Sequence, residues 1–255
     1  MTRPRILAAA VVLIVAIGIG GYAAYDQVLR GDSIAPLALP TTLPASSGAS
    51  TADPTAAAST GSGSVASADP AGGSGDVAGS WSITSGSQAG YRVREQLASL
   101  PAESDAVGRT DQLSGTITVS TDGSTVSVTA GSIQVDMTSI TSDKTQRDNR
   151  LRTEGLQTDT YPTATFKLTQ PVAIPAAAIA GTSSDVTPIG DLTIHGVTKS
   201  VHIPAKAQLS GGTIQVAGSI AFPLSDYGMT APNIGGFIVS IADQGTLEFV
   251  VVFSR

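Results

Sequence analysis

The sequence predicts one antiparallel all-β domain, a sandwich or an up-and-down barrel of about eight strands, between Trp81 and Arg255. Period-two apolar alternation recurs from Thr116 to Phe253, and Gly- and Asp-containing pairs punctuate it at hairpin spacing. Only one short stretch, near Lys144 to Glu154, carries a helical pattern. Short strands with short turns and little helix favour sheet packed on sheet or a sheet rolled on itself.

The elements follow in order. Residues Ile6 to Tyr25 hold no charged side chain, and about 20 helical residues at 1.5 Å each span a hydrocarbon core of roughly 30 Å. Arg3 and Arg5 precede this run and Asp26 follows it, so the positive-inside bias puts the N-terminus in the cytoplasm and the rest outside. The reading is an uncleaved anchor over residues 1–30. The alternative is a secretory signal removed near Gly21-Tyr22-Ala23, although the apolar run exceeds a usual signal core. Residues 31–79 are mostly Ala, Ser, Thr, Gly and Pro, with scattered Asp, six Ile, Leu or Val and no aromatic, a composition that cannot offset its ordering entropy. This is a disordered linker, whose coil dimension is on the order of 35–40 Å. Trp81 ends it, and residues 80–255 form the folded domain.

Within that domain Ile117 and Val119 alternate with Thr116, Thr118 and Ser120. Asp122-Gly123 then turns the chain into Val126, Val128 and Ala130, a strong hairpin signal. Ile133, Val135 and Met137 follow at period two, and Thr163 to Thr169 alternates around Phe166 and Leu168. Leu192 to Ile194 passes through His195-Gly196 to Val201, Ile203 and Ala205, with His202 pointing outward. Gly211-Gly212 turns into Ile214 to Phe222. The last strand places Leu247, Phe249, Val251 and Phe253 on one face and Val250 and Val252 on the other. Apolar side chains on both faces mean both are covered. One face can line a lumen; the other can lie beneath a helix or a long loop, and the Lys144–Glu154 helix is a candidate for that cover.

Composition excludes several functions. The chain has no cysteine, so disulfide staples, thiol catalysis and N-terminal lipidation on cysteine are ruled out. The net charge is −6, and residues 80–255 hold 11 Lys+Arg against 15 Asp+Glu, or −4, which argues against nucleic-acid binding. Two histidines, His195 and His202, without a clustered carboxylate make a poor metal site. Neither a G-x-S-x-G elbow nor a phosphate-binding loop is present, so no catalytic residue is assigned and the protein reads as a non-enzyme. The basic run Lys144, Arg147, Arg150 and Arg152 either grips an anionic head group or pairs with its own acids. Asp143–Arg147, Lys144–Asp148, Asp148–Arg152 and Arg150–Glu154 are all i,i+4 pairs.

Four stretches bring a resemblance into view: Trp81-Ser82-Ile83; Arg147-Asp148-Asn149-Arg150-Leu151-Arg152 with Tyr161-Pro162 and Phe166; Gly190-Asp191-Leu192-Thr193-Ile194-His195-Gly196-Val197-Thr198-Lys199; and Phe222-Pro223-Leu224-Ser225-Asp226-Tyr227-Gly228-Met229. In order and spacing they resemble the YceI-like family, lipocalin-like proteins that bind polyisoprenoids and related lipids. The chain departs from the family pattern at Arg150, at Leu156 and along Gly90 to Glu95, where a ligand's head group would be read. The resemblance implies an eight-stranded antiparallel barrel, a short helix and an elongated apolar lumen. It assigns ligand binding to Tyr91, Val135, Met137, Arg147, Arg150, Leu151, Phe166, Leu168, Phe222, Tyr227, Met229 and Phe249. The expected partner is a bound isoprenoid, quinone or fatty-acid derivative, with no other cofactor and with membrane contact through the N-terminal helix. The alternative is a filled barrel that presents its loops to a protein or cell-envelope partner.

Overall fold

The computed structural model describes residues 34–40, 77–97, 103–231 and 238–255. The expected anchor, most of the expected linker and the Gly21-Tyr22-Ala23 site lie outside the described residues. Among the described residues no helix is long and apolar enough to cross a membrane.

Fourteen antiparallel strand segments form a single sheet. The first six are β1 (Gly79–Ile83), β2 (Gln88–Leu97), β3 (Ser104–Thr110), β4 (Leu113–Asp122), β5 (Thr125–Asp136) and β6 (Thr141–Ser142). Helix α1 (Thr145–Thr153) separates these from β7 (Thr163–Leu168) and β8 (Val172–Ile174). After the single turn α2 (Ala176–Ile179) come β9 (Ser184–Val186), β10 (Ile189–Ile194), β11 (Val197–His202), β12 (Ala205–Ser210), β13 (Thr213–Pro223) and β14 (Ile238–Ser254). The order is β11-β10-β7-β5-β4-β1-β14-β13-β12-β9, with β2 on β14 and β3, β6 on β3, and β8 on β5.

The expected closed eight-strand barrel is corrected in two respects. Long staves are broken into pieces: β1 and β2 both run along the same edge of β14, separated by the turn at Thr84–Ser87. The ladder also does not close on itself, because β9 and β8 touch without pairing. The sheet curls round its apolar face all the same.

Local chemistry explains the turns. In the β4–β5 hairpin Asp122 pairs with Thr125, and Gly123 takes φ 58°. The β10–β11 turn uses His195 at φ 52° and Gly196 at φ 73°, two successive left-handed residues whose twist matches the flanking strands. One phase change was not visible in the pattern. In β5 the register shifts opposite Thr118/Val119, so Thr129 is extra and Ala130 is exposed rather than sharing the face of Val126 and Val128. Inward alternation resumes at Gly131, Ile133 and Val135.

Among the described residues the fully buried apolar side chains fall into three clusters, the first and third bridged by the partly buried Val216 and Phe249. Val77, Trp81, Ile117, Val119, Val251 and Phe253 make the first. Ala164, Ile194, Phe222, Tyr227 and Met229 make the second, and Val186, Ala205 and Ala207 the third. Val77 belongs to the core and accepts the Trp81 indole N–H at 2.9 Å, so the folded unit starts a few residues before Ser80. Within the stretch read as a linker, Ile34–Pro40 also lies against the domain: the Leu37 N–H donates to Glu248 Oε2 at 2.7 Å. This segment, not α1, sits at the outer face of β14; α1 packs beside β6.

Candidate functional site

The inward faces of the sheet surround a cavity of about 290 Å³. Its wall is built by register. Opposite one another across β13 and β14 stand Phe222 and Gly245, Ile220 and Leu247, Gly218 and Phe249, Val216 and Val251, and Ile214 and Phe253. Every apolar member of these pairs lines the cavity, as do Ile133, Val135, Phe166, Leu168 and Leu192 from β5, β7 and β10. The cavity touches all three buried clusters, and Val216 and Phe249, which pack against both the first and the third, line it as well.

Glycines opposite aromatic rings keep this space open. Tyr91 pairs with Gly108 across β2–β3, and a Cβ at Gly108 would stand 2.3 Å from the Tyr91 ring. At Gly190 a Cβ would come within 2.6 Å of the Phe166 ring. Each ring therefore lies flat on its neighbour strand instead of crossing the lumen.

One part of the wall is polar. Tyr91, Val93 and Glu95 point inward from β2 by strand alternation. Helix α1 delivers Arg147, 10% exposed, onto the Glu95 carboxylate, 3% exposed, and the same guanidinium bonds Asp143 and the Ser142 hydroxyl. Asp148 turns back to Ser142, accepting from its N–H at 3.0 Å and its hydroxyl at 2.6 Å, which fixes the helix start. The Tyr91 hydroxyl and Arg147 Nε are buried with no partner. Desolvation pushes the Tyr91 phenol far up, against the opposing pull of Arg147, so it stays neutral and able to donate. Desolvation also works to raise Asp143, but the hydrogen bond and charge of Arg147, with Lys144 beside it, hold that carboxyl below its ordinary value.

The expected site residues largely converge here. Tyr91, Val135, Met137, Arg147, Arg150, Leu151, Phe166, Leu168, Phe222, Met229 and Phe249 all line the cavity. Tyr227 does not; it is buried behind Phe222, ring centroids 5.1 Å apart, as part of the second cluster. The basic run divides. Arg150 pairs its head group with Glu154 at 2.8 Å and Arg147 pairs with Asp143, both as the i,i+4 reading expects, but Arg147 also reaches inward to Glu95. Asp148 serves Ser142 in place of the expected Lys144 and Arg152. Sequence reasoning missed Glu95, although an acid in the inward phase of Tyr91 and Val93 was a readable signal. His195 is less exposed than a turn position suggests. Its ring packs on Tyr161 at 4.2 Å, and Nδ1 meets the Tyr227 carbonyl at 3.1 Å. His202 is exposed as expected. Among the described residues no group of His, Cys, Asp or Glu could hold a metal ion.

The comparisons agree with this architecture. A polyisoprenoid-binding domain from Saccharophagus degradans, implicated in plant cell wall breakdown, is 22% identical with a TM-score of 0.53, over 70% of this chain and 99% of that one. BcnA of Burkholderia cenocepacia is 22% identical with a TM-score of 0.47, over 65% and 95% of the two chains. The YceI protein of Campylobacter jejuni is 17% identical with a TM-score of 0.43, over 58% and 84%. At 22% identity the likeness to the first of these is one of fold alone. No curated protein matches the chain. The family model for the YceI-like domain matches residues 81–253, from the opening tryptophan to the last lumen-facing phenylalanine. With that match spanning well over half its length, the chain belongs to the YceI-like family.

Proposed function

We propose that the protein binds one long, slender lipid in its lumen, a polyisoprenoid, quinone or fatty-acid derivative, and carries or sequesters it outside the cytoplasm while tethered to the membrane by its N-terminal segment. The observation that carries the binding reading is the cavity itself, whose wall is built almost wholly of apolar side chains from β4, β5, β7, β10, β13 and β14. At about 290 Å³ it lies near the lower bound of ligand pockets, roughly 300–1,000 Å³, which suits a narrow chain better than a bulky ring system. Each buried methylene contributes about 0.8 kcal/mol, so ten of them supply strong binding without any charged contact. The Tyr91 hydroxyl and Arg147 Nε, both unpartnered, suit a polar end group that accepts hydrogen bonds.

The tether has its support in sequence, in the charge-free run Ile6–Tyr25 behind Arg3 and Arg5. A lipid carrier gains from working close to the bilayer where its ligand resides. Native mass spectrometry of the full chain, extracted in mild detergent, tests the binding. A co-purifying lipid mass, or uptake of a polyprenol, a quinone or a fatty acid on incubation, is expected. A protein that emerges empty and takes up neither polyprenol, quinone nor fatty acid refutes the reading.

A further inference from the structure

Outside the barrel, on the wall opposite the lumen, β2, β3 and β14 present a second built site. Strand alternation that sends Tyr91, Val93 and Glu95 inward sends Arg92 and Arg94 outward, and the register sets Arg92 beside Thr246 and Val107, and Gly90 beside Glu248 and Arg109. The Glu248 carboxylate is 3% exposed and stands between Arg92 at 3.1 Å and Arg109 at 3.7 Å. Val107, between Asp105 and Arg109 on this outer face, is 4% exposed. A buried carboxylate and a buried valine on the outside of a barrel require a cover. Ile34–Pro40 is that cover: Glu248 accepts the Leu37 N–H at 2.7 Å, Arg92 donates to the Ile34 carbonyl at 2.7 Å, and Arg109 donates to the Ala35 carbonyl. Leu37 and Leu39 are the half-buried members of the segment, while Pro36, Ala38 and Pro40 are exposed.

We propose that this outer wall is a docking site for an extended apolar peptide, filled in cis by Ile34–Pro40, and that this clamp sets how the barrel hangs from the preceding chain. All three charge-assisted bonds go to main-chain atoms of the segment, and such bonds are about twice as strong as neutral ones. Side-chain selection rests on the two leucines at alternate positions. The consequence concerns reach. Residues 41–76 start and end on the barrel, so they do not act as the spacer. The barrel hangs instead from residues 26–33, which extend to at most roughly 26–29 Å. That second step rests on the membrane-anchored reading; the docking itself does not.

Hydrogen exchange of the full chain, read by mass spectrometry over residues 34–40, tests the clamp. The Leu37 amide, which donates to Glu248, is expected to exchange at least about tenfold more slowly than in a free peptide, at every protein concentration. Glu248→Ala, which removes its acceptor, is expected to return the Leu37 amide to the free rate. A free-peptide rate in the unaltered chain overturns the proposal. Protection that survives Glu248→Ala overturns the Glu248 anchor, and protection that appears only at high concentration assigns the site to a second copy instead. A second arm places the full chain in phosphatidylcholine–phosphatidylglycerol vesicles and reads energy transfer from a barrel label to a bilayer dye. A Gly-Ser insert after Gly31 is expected to lower the transfer, and the same insert after Gly61 to leave it unchanged unless Glu248→Ala is also present. Equal effects of the two inserts overturn the hanging geometry. A chain that does not stay with the vesicles defeats the anchor reading, and the exchange result then decides the clamp alone.

Discussion

Truncating Phe249 and Phe253 separately tests whether the lumen is a ligand site or a core. Both sit on β14 in the inward phase and both line the cavity, but their surroundings differ. Phe253 is 2% exposed and belongs to the first buried cluster, whereas Phe249 is only half-buried. A buried phenylalanine removes roughly 150–250 Å² from water, which at about 25 cal/mol per Å² gives about 4–6 kcal/mol gross. After relaxation Phe253→Ala should therefore cost about 3–5 kcal/mol. Phe249 turns part of its ring toward empty lumen, so about half of that area applies, and Phe249→Ala should cost about 2 kcal/mol in lipid-stripped protein. The other half of the ring is the surface offered to a ligand. Losing it should weaken polyprenol binding by about 2 kcal/mol, roughly 30-fold. Urea unfolding of the stripped proteins gives the first quantity, and titration with a fluorescent polyprenol analogue the second. Equal stability losses for both variants, with lipid uptake unchanged in Phe249→Ala, would refute an open lumen and favour a filled barrel.

Three further outcomes follow from the polar part of the wall. Arg147→Met leaves the Glu95 carboxylate buried without its partner and should destabilise by about 3–5 kcal/mol, while Arg147→Met with Glu95→Leu should recover most of that loss in urea melts. Gly108→Ala puts a methyl 2.3 Å from the Tyr91 ring, so the ring must swing into the lumen; a loss of about 1–3 kcal/mol and reduced lipid uptake by native mass spectrometry are expected. Asp143 has a lowered folded-state pKa, so its contribution is full above the ordinary value of about 3.9 and lost as pH falls through the folded value. The docking of α1, followed by exchange of its amides, should thus hold from pH 5 to 8 and loosen below about pH 4, and Asp143→Asn should remove that acid step.

The fold was legible wherever a residue's fate depends on near neighbours. Alternation in β4, the Gly-marked hairpins and the lumen face of β14 all follow from spacing of one to four residues. Closure of the barrel was not, since it depends on whether β8 and β9 pair, two three-residue segments with nine intervening residues that include α2. The extra residue at Thr129 was equally silent, because a bulge changes phase without changing composition. At the site, apolar residues were found by pattern, but the direction of Arg147 was not. Asp143 satisfies it locally at i−4, and only the fold supplies Glu95 from 52 residues away. Ile34–Pro40 poses the same problem at greater range. Ile34, Leu37 and Leu39 do stand out from the small residues that follow, but what holds the segment is a carboxylate 211 residues on, which no local pattern names.

Strand β2 ties both sites together. Its period of two sends Tyr91 and Glu95 to the lumen and Arg92 to the outer clamp, so the head-group region and the docked segment share one layer of backbone. A slip of one residue would exchange the faces, burying Arg92 and Arg94 in an apolar cavity and exposing Tyr91. Two features oppose it. The irregularity between Ile241 and Gly245 fixes where β14 meets β2, and Gly108 and Gly90 each stand where any side chain would collide with the partner strand. The lipid site and the peptide clamp proposed above both depend on this one register, so a slipped β2 would abolish the two together.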